Sequence, residues 1–164
     1  MRHYWIVLVS AVLLLALPAI GKDQPKFKTI EIKHFPYAEG VELGPEFPDF
    51  LYAELKTELQ KAKLSEQIVG EGEVVDAADA PLSIIIEGTV LEYKKGNLVK
   101  EAFTPFHLGG HRSMRAQLKV TRRSNNETVL DKELKVDVSS TADPKHLARF
   151  MAKQIARELK QAKN

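Results

Sequence analysis

In FKTIEIKHF (27–35), Ile30 and Ile32 alternate with Glu31 and Lys33, the period of a strand with one buried face. A loop rich in Pro and Gly follows, from Pro36 to Pro48. In DFLYAELKTELQKAKL (49–64) the spacing changes: Phe47, Leu51, Leu55, Leu59 and Ala62 recur at helical intervals, and Asp49 stands at the start. IVGEGEVV (68–75) reads as a short strand weakened by two glycines, and DAADAP (76–81) as a turn. LSIIIEGTVLEY (82–93) is a longer strand, and Gly88 inside it marks a bulge or a close backbone approach. RSMRAQLKVTR (112–122) and TVLDKELKVDV (128–138) alternate most regularly, both with apolar residues at even numbers. Directly opposed residues then sum to an even number, which requires an odd hairpin loop. SNN and NNE are both suitable, and Lys119 faces Asp131 in the first case or Glu133 in the second. The last element, 143–164, opens with Asp143 as N-cap and Pro144 in the first turn. Its apolar stripe is Leu147, Met151, Ile155 and Leu159, widened by Ala148, Phe150 and Ala152.

The order β-α-β-β-β-β-α predicts an α+β two-layer sandwich, a largely antiparallel sheet with two helices on one face. The polar alternation of the last two strands leaves the other face wet.

The first residues belong to a different pattern. Arg2 and His3 precede an apolar run (6–17), and Pro18, Ala19, Ile20 and Gly21 follow it. This is the pattern of a secretory signal peptide cut after Gly21. A helix of that run rises about 18 Å, short of a hydrocarbon core of about 30 Å. The expected organisation is a signal peptide (1–21), a polar lead (22–26) and a single domain (27–164). Residues 1–21 hold one Arg and no acid, so removing them takes the formal charge from +2 to +1. That balance argues against a general nucleic-acid binder, which needs a basic stripe. The chain has no Cys, which excludes disulfides, thiolate metal sites, cysteine catalysis and the lipid-bearing cysteine of a bacterial lipoprotein. A secreted location in a bacterial periplasm fits this composition.

Candidate chemistry is sparse. GNLVKEAFTPFHLGGHRSM (96–114) has neither phosphate-loop spacing, and a strand follows it where a helix is required. His107 and His111 flank Gly-Gly, which opposes the helix that would make them an i, i+4 metal pair, and no third ligand is signalled nearby. The stretch therefore reads as a connection between strands, with Phe103 and Phe106 either covering the core edge or presented to a partner. Asp76/Asp79 and Asp131/Glu133 are carboxylate pairs without the apolar setting that raises a catalytic pKa. No catalytic signature is present, and no cofactor or metal is predicted. The terminal helix carries Lys145, Arg149, Lys153, Arg157, Lys160 and Lys163 against Glu158. This is either a solvated face or a contact for anionic lipid headgroups or an acidic partner.

The first strand and helix, the approach from Asp79 to Leu82, the turn at Gly96-Asn97, the re-entry at Gly109-Gly110 and the final hairpin together resemble small secreted bacterial proteins of domain of unknown function 4410. The order of elements is also similar to the small α/β domains of envelope lipoproteins. The resemblance implies a non-catalytic envelope module that binds proteins or assembles with itself; the runner-up is a periplasmic binder of a small amphiphile or lipid. The candidate partner contacts are Phe103, Phe106, His107, His111, Arg149 and Lys153.

Overall fold

The computed structural model describes residues 25–97 and 111–162, with Val99 and Phe103 between them. The expected signal segment, Phe106 and His107 lie outside the described residues. The described elements run β1 (Phe27–Ile32), α1 (Phe47–Lys61), β2 (Ser65–Gly70), β3 (Ile84–Lys94), β4 (Arg112–Arg122), β5 (Thr128–Val138) and α2 (Pro144–Gln161). A 3-10 turn, Ala77–Leu82, lies between β2 and β3.

The strands form one sheet in the order β2-β1-β3-β4-β5. The β3–β4 and β4–β5 pairs are antiparallel and use the 11-residue strands, whereas β1 pairs in parallel with both β2 and β3. The α+β two-layer arrangement is thus present, with a mixed sheet. Alternation reports which face a side chain occupies, and strand direction is a separate matter. Here α1 returns the chain to the end where it started, as parallel pairing requires.

One packed core joins the layers. Ile30, Ile84, Ile86, Met114, Leu118, Val120 and Leu134 meet Leu51, Leu55 and Leu59 of α1 and Leu147, Met151 and Ile155 of α2, all essentially inaccessible. The Asp143 side chain accepts a 2.6 Å hydrogen bond from the His146 amide and caps α2 as expected. Helix α1 starts at Phe47, two residues earlier than the sequence suggests, with Pro48 in its first turn and no side-chain cap. It stops where Lys63 turns left-handed (φ 51°). The Lys63 amide donates to the Gln60 carbonyl (3.0 Å) and the Leu64 amide to that of Leu59 (3.3 Å), the paired closure of a Schellman motif.

Three local expectations change. The second strand spans Ser65–Gly70, not 68–75, because Gly72 (φ +80°) turns the chain away. At the β4–β5 turn Lys119 does stand opposite Asp131, but the odd residue is absorbed by a register shift after Val120. The turn itself spans 123–126, closed by the Arg122 amide on the Glu127 carbonyl (2.8 Å), with Asn126 left-handed (φ 57°). The ammonium of Lys119 pairs with Glu87 of β3 (3.3 Å), leaving Asp131 to accept from Gln117.

Gly88 marks a close approach, and the bulge falls beyond it, between Val90 and Glu92. After β1 the chain continues along β3: the Lys33 amide donates to the Ile86 carbonyl, and the Val90 amide to that of Pro36, both at 2.9 Å. This course drives the buried Phe35 ring across Gly88. A Cβ there would lie 2.4 Å from Phe35 Cε1 and 2.6 Å from the Gln117 carbonyl oxygen. Because one obstacle is backbone, Gly88→Ala should destabilise the protein by roughly 1–3 kcal/mol. Denaturant unfolding should show a lower midpoint with an unchanged slope; a midpoint equal to wild type would show that β1 can move off β3 freely.

Candidate interaction surface

On the sheet face away from the helices, charged side chains pair with one another. Glu87 lies between Lys33 and Lys119, 3.3 Å from each, and Arg115 lies between Glu92 (2.7 Å) and Glu133 (3.0 Å). Lys94 adds to Glu92 at 3.1 Å, and Lys135 pairs with Asp137 at 3.2 Å. A shallow depression of about 570 Å³ is lined by the paired Lys33, Glu87 and Lys119 and by His34 and Glu71. Burial pushes the Glu87 carboxyl up, but hydrogen bonds from Lys33 and Lys119 outweigh it and hold it below the usual carboxylate range. Of the carboxylate pairs noted in the sequence, Asp76 accepts from the Ala78 amide (2.9 Å) in an N-cap. Asp131 is engaged by Gln117. Among the described residues no cluster of three His, Asp or Glu is arranged to hold a metal ion.

The connection from β2 to β3 packs against β1, where Thr29 and Glu31 are buried despite pointing away from the helices. Glu31 forms an ion pair with Arg123 of the β4–β5 turn, whose amide donates to the Ser83 carbonyl at 2.9 Å. One buried carboxylate thus ties β1, the connection and the hairpin turn together.

The helix side differs. Between β5, an unpaired edge strand, and α2 lies a groove of about 420 Å³ lined by Lys135, Val136, Phe150, Lys153, Gln154 and Arg157, with Asp137 at its lip. Phe150 is 43% exposed, stacked by His146 at 5.7 Å and approached by the Lys153 ammonium at 5.8 Å. Lys132 sits opposite Leu118 on the core side and extends its stem outward to reach Glu158 at 2.8 Å.

The sequence-predicted contacts fall in two places. Phe103 is 84% exposed and His111 half-buried, both in the connection from β3 to β4. Arg149 and Lys153 are on α2, but only Lys153 lines the groove. The Arg149 guanidinium turns to α1, where it donates to both carboxylate oxygens of the buried Glu54 (3.2 and 3.3 Å) and clamps the two helices. Phe150, counted in the sequence as part of the buried stripe, lies on its flank. It follows Leu147 by three positions but precedes Met151 by one, about 100° around the helix.

No family model matches the chain, and no curated protein matches it in sequence. Solved structures share its fold. The PelC dodecamer from Paraburkholderia phytofirmans is 12% identical with a TM-score of 0.57, over 88% of this chain and 94% of that one. A single-substitution variant of the same PelC gives 0.59 at 11% identity, with the same coverage. A Xanthomonas campestris protein of family DUF330 gives 0.52 at 9% identity, over 85% of each chain. Identities this low establish the shared fold alone.

The Glu87 pairing has a pH signature. A carboxyl whose folded pKa is depressed contributes stability that is complete above the ordinary glutamate range and is lost as pH falls through the folded value. Between neutral pH and about pH 3, wild type should therefore lose more unfolding free energy than Glu87→Gln. Parallel curves for the two proteins would exclude this contribution.

Proposed function

We propose that this chain is a non-catalytic module of the bacterial envelope, carried across the inner membrane by its N-terminal segment, that works by binding protein: copies of itself or an envelope partner. The observation that carries this reading is Phe150, an aromatic ring held on the surface by His146 and Lys153 beside an unpaired edge strand. An exposed aromatic ring is the residue type enriched at protein interfaces. The charged groups on the opposite face support the non-catalytic part, because Lys33, Glu87 and Lys119, and Glu92, Arg115 and Glu133, are engaged with one another in ion pairs. PelC, which has the same fold, is a dodecamer, so this architecture is compatible with self-assembly. Membership of the secreted group of domain of unknown function 4410 is part of the same proposal, as is a periplasmic location without a lipid anchor.

Among the described residues the space between α1 and β1 leaves little room for a small amphiphile. The void between α1 and β1 measures about 10 Å³, enough for one water at most.

Phe150→Ser should abolish concentration-dependent association, or partner capture from the native envelope, while changing unfolding free energy by less than about 1 kcal/mol. Sedimentation velocity over a wide concentration range reads the first and denaturant unfolding the second. A wild-type chain that remains a monomer throughout and leaves its envelope alone would overturn the proposal.

A further inference from the structure

The β2 edge of the sheet is acidic and helix α2, beside the opposite edge, is basic, whereas β5 itself carries Asp131, Glu133 and Asp137 together with Lys132 and Lys135. Residues 65–82 contain Glu66, Glu71, Glu73, Asp76 and Asp79 and not one Lys or Arg. They form the edge strand β2 and the connection that follows, and all but the half-buried Asp79 are exposed. Among the described residues only Glu66 of these forms an ion pair, with Lys28; Glu71 and Glu73 accept from the backbone amides of His34 (3.1 Å) and Gly70 (2.8 Å), which leaves their charge in place. The same segment exposes Val74, 93% accessible, between Glu73 and Asp76.

Helix α2, beside the far edge, is the reverse. Among the described residues, Lys145, Lys153 and Lys160 have no carboxylate partner, and Arg157 lies 3.9 Å from a Glu158 already held by Lys132 at 2.8 Å. Phe150 and Val136 are the apolar residues of this groove, whose charged lining is Lys135, Lys153 and Arg157 against Asp137. Val74 thus stands among acids and Phe150 in a groove with an excess of cations, and the two are complementary.

We infer that the acidic segment 65–82 of one copy docks on the basic α2–β5 groove of a second copy, with Val74 against Phe150. This rests on the self-assembly arm of the proposed function and adds the surfaces and their polarity. Because β2 and β5 are opposite edges of the sheet, the contact is head to tail: every open assembly keeps one free edge of each kind, so it either closes into a ring or grows as a filament. An anionic lipid surface would account for the groove alone and leave the acidic edge with its exposed Val74 unexplained.

The test uses the full chain and light scattering after size exclusion. Wild type should form oligomers in low salt that dissociate in 1 M salt, where the screening length is about 3 Å. Lys153→Glu with Arg157→Glu, and separately Glu71→Lys with Glu73→Lys, should each weaken association about a hundredfold by placing like charges together. The decisive sample is an equimolar mixture of the two variants. Each retains one intact edge of the opposite kind, and the two reversed edges are again opposite in charge, so the mixture should recover association that neither variant shows alone. If wild type assembles but the variants assemble equally well, the docking assignment fails and self-assembly stands. If both variants are monomers and their mixture is too, the contact is not head to tail. A monomeric wild type that binds anionic phospholipid vesicles through Lys153 and Arg157 would assign the groove to lipid and overturn the inference.

Discussion

Everything in this fold depends on covering one apolar sheet face. Strands β3, β4 and β5 place Ile84, Ile86, Met114, Leu118, Val120 and Leu134 on the same side, and a face of that size is unstable in water. Each large side chain contributes roughly 1.5–3 kcal/mol when buried, whereas an exposed ion pair contributes about 0–1. The helices are therefore held by Leu51, Leu55 and Leu59 and by Leu147, Met151, Ile155 and Leu159, not by the charge ladder on the outer face. The Arg149–Glu54 clamp sets how α1 and α2 lie against each other, and the apolar stripes supply the driving force.

Among the described residues the helices are committed to the core and the outer face carries its own ion pairs, which makes the sheet edges candidate contact surfaces. The parallel pairing of β1 with β2 has a direct consequence there. A hairpin after β2 would have left little chain at that edge. Parallel strands instead need a connection that travels back along the sheet, and here it runs from Glu71 to Ser83 against β1. That return segment is long and acid-rich, and its two ends are held by the His34 amide on the Glu71 carboxylate (3.1 Å) and the Arg123 amide on the Ser83 carbonyl (2.9 Å). The topology thus displays an acid-rich segment at the β2 edge while α2 displays cations near β5.

Much of the architecture is legible in the pattern of side chains, since burial on one face is what writes the pattern. The even-numbered apolar positions of 112–122 and 128–138, the stripe of α2 and the Asp143-Pro144 start all have the structural meaning their spacing suggests. Strand direction is less legible, because reversing a strand leaves its alternation intact; only α1 between β1 and β2 carries that information. The placement of β2 is obscured for another reason. An edge strand with Glu66, Gln67 and Gly70 has little apolar pattern of its own, and its pairing comes from β1. The hairpin register survives in the sequence, but the bulge that absorbs one residue does not, since either loop satisfies the same parity.

The interaction surface is harder to read for a related reason. Phe150 counts as apolar wherever it falls, so a stripe drawn by composition absorbs it. Only the angle it makes with Leu147 and Met151 puts it on the flank facing β5. Arg149 and Lys153, one turn apart, look equivalent as cations, yet one is fixed by the carboxylate of Glu54 on α1 and the other stands over an exposed ring. The difference is created by a partner 95 positions away in the chain. Local spacing can propose a basic helix face; tertiary pairing divides it into charges that hold the fold and charges that remain available to another molecule. The acidic run 65–82 makes the same point in reverse. Its sign is plain in the sequence, but its significance appears only when the sheet order places it across the molecule from the groove.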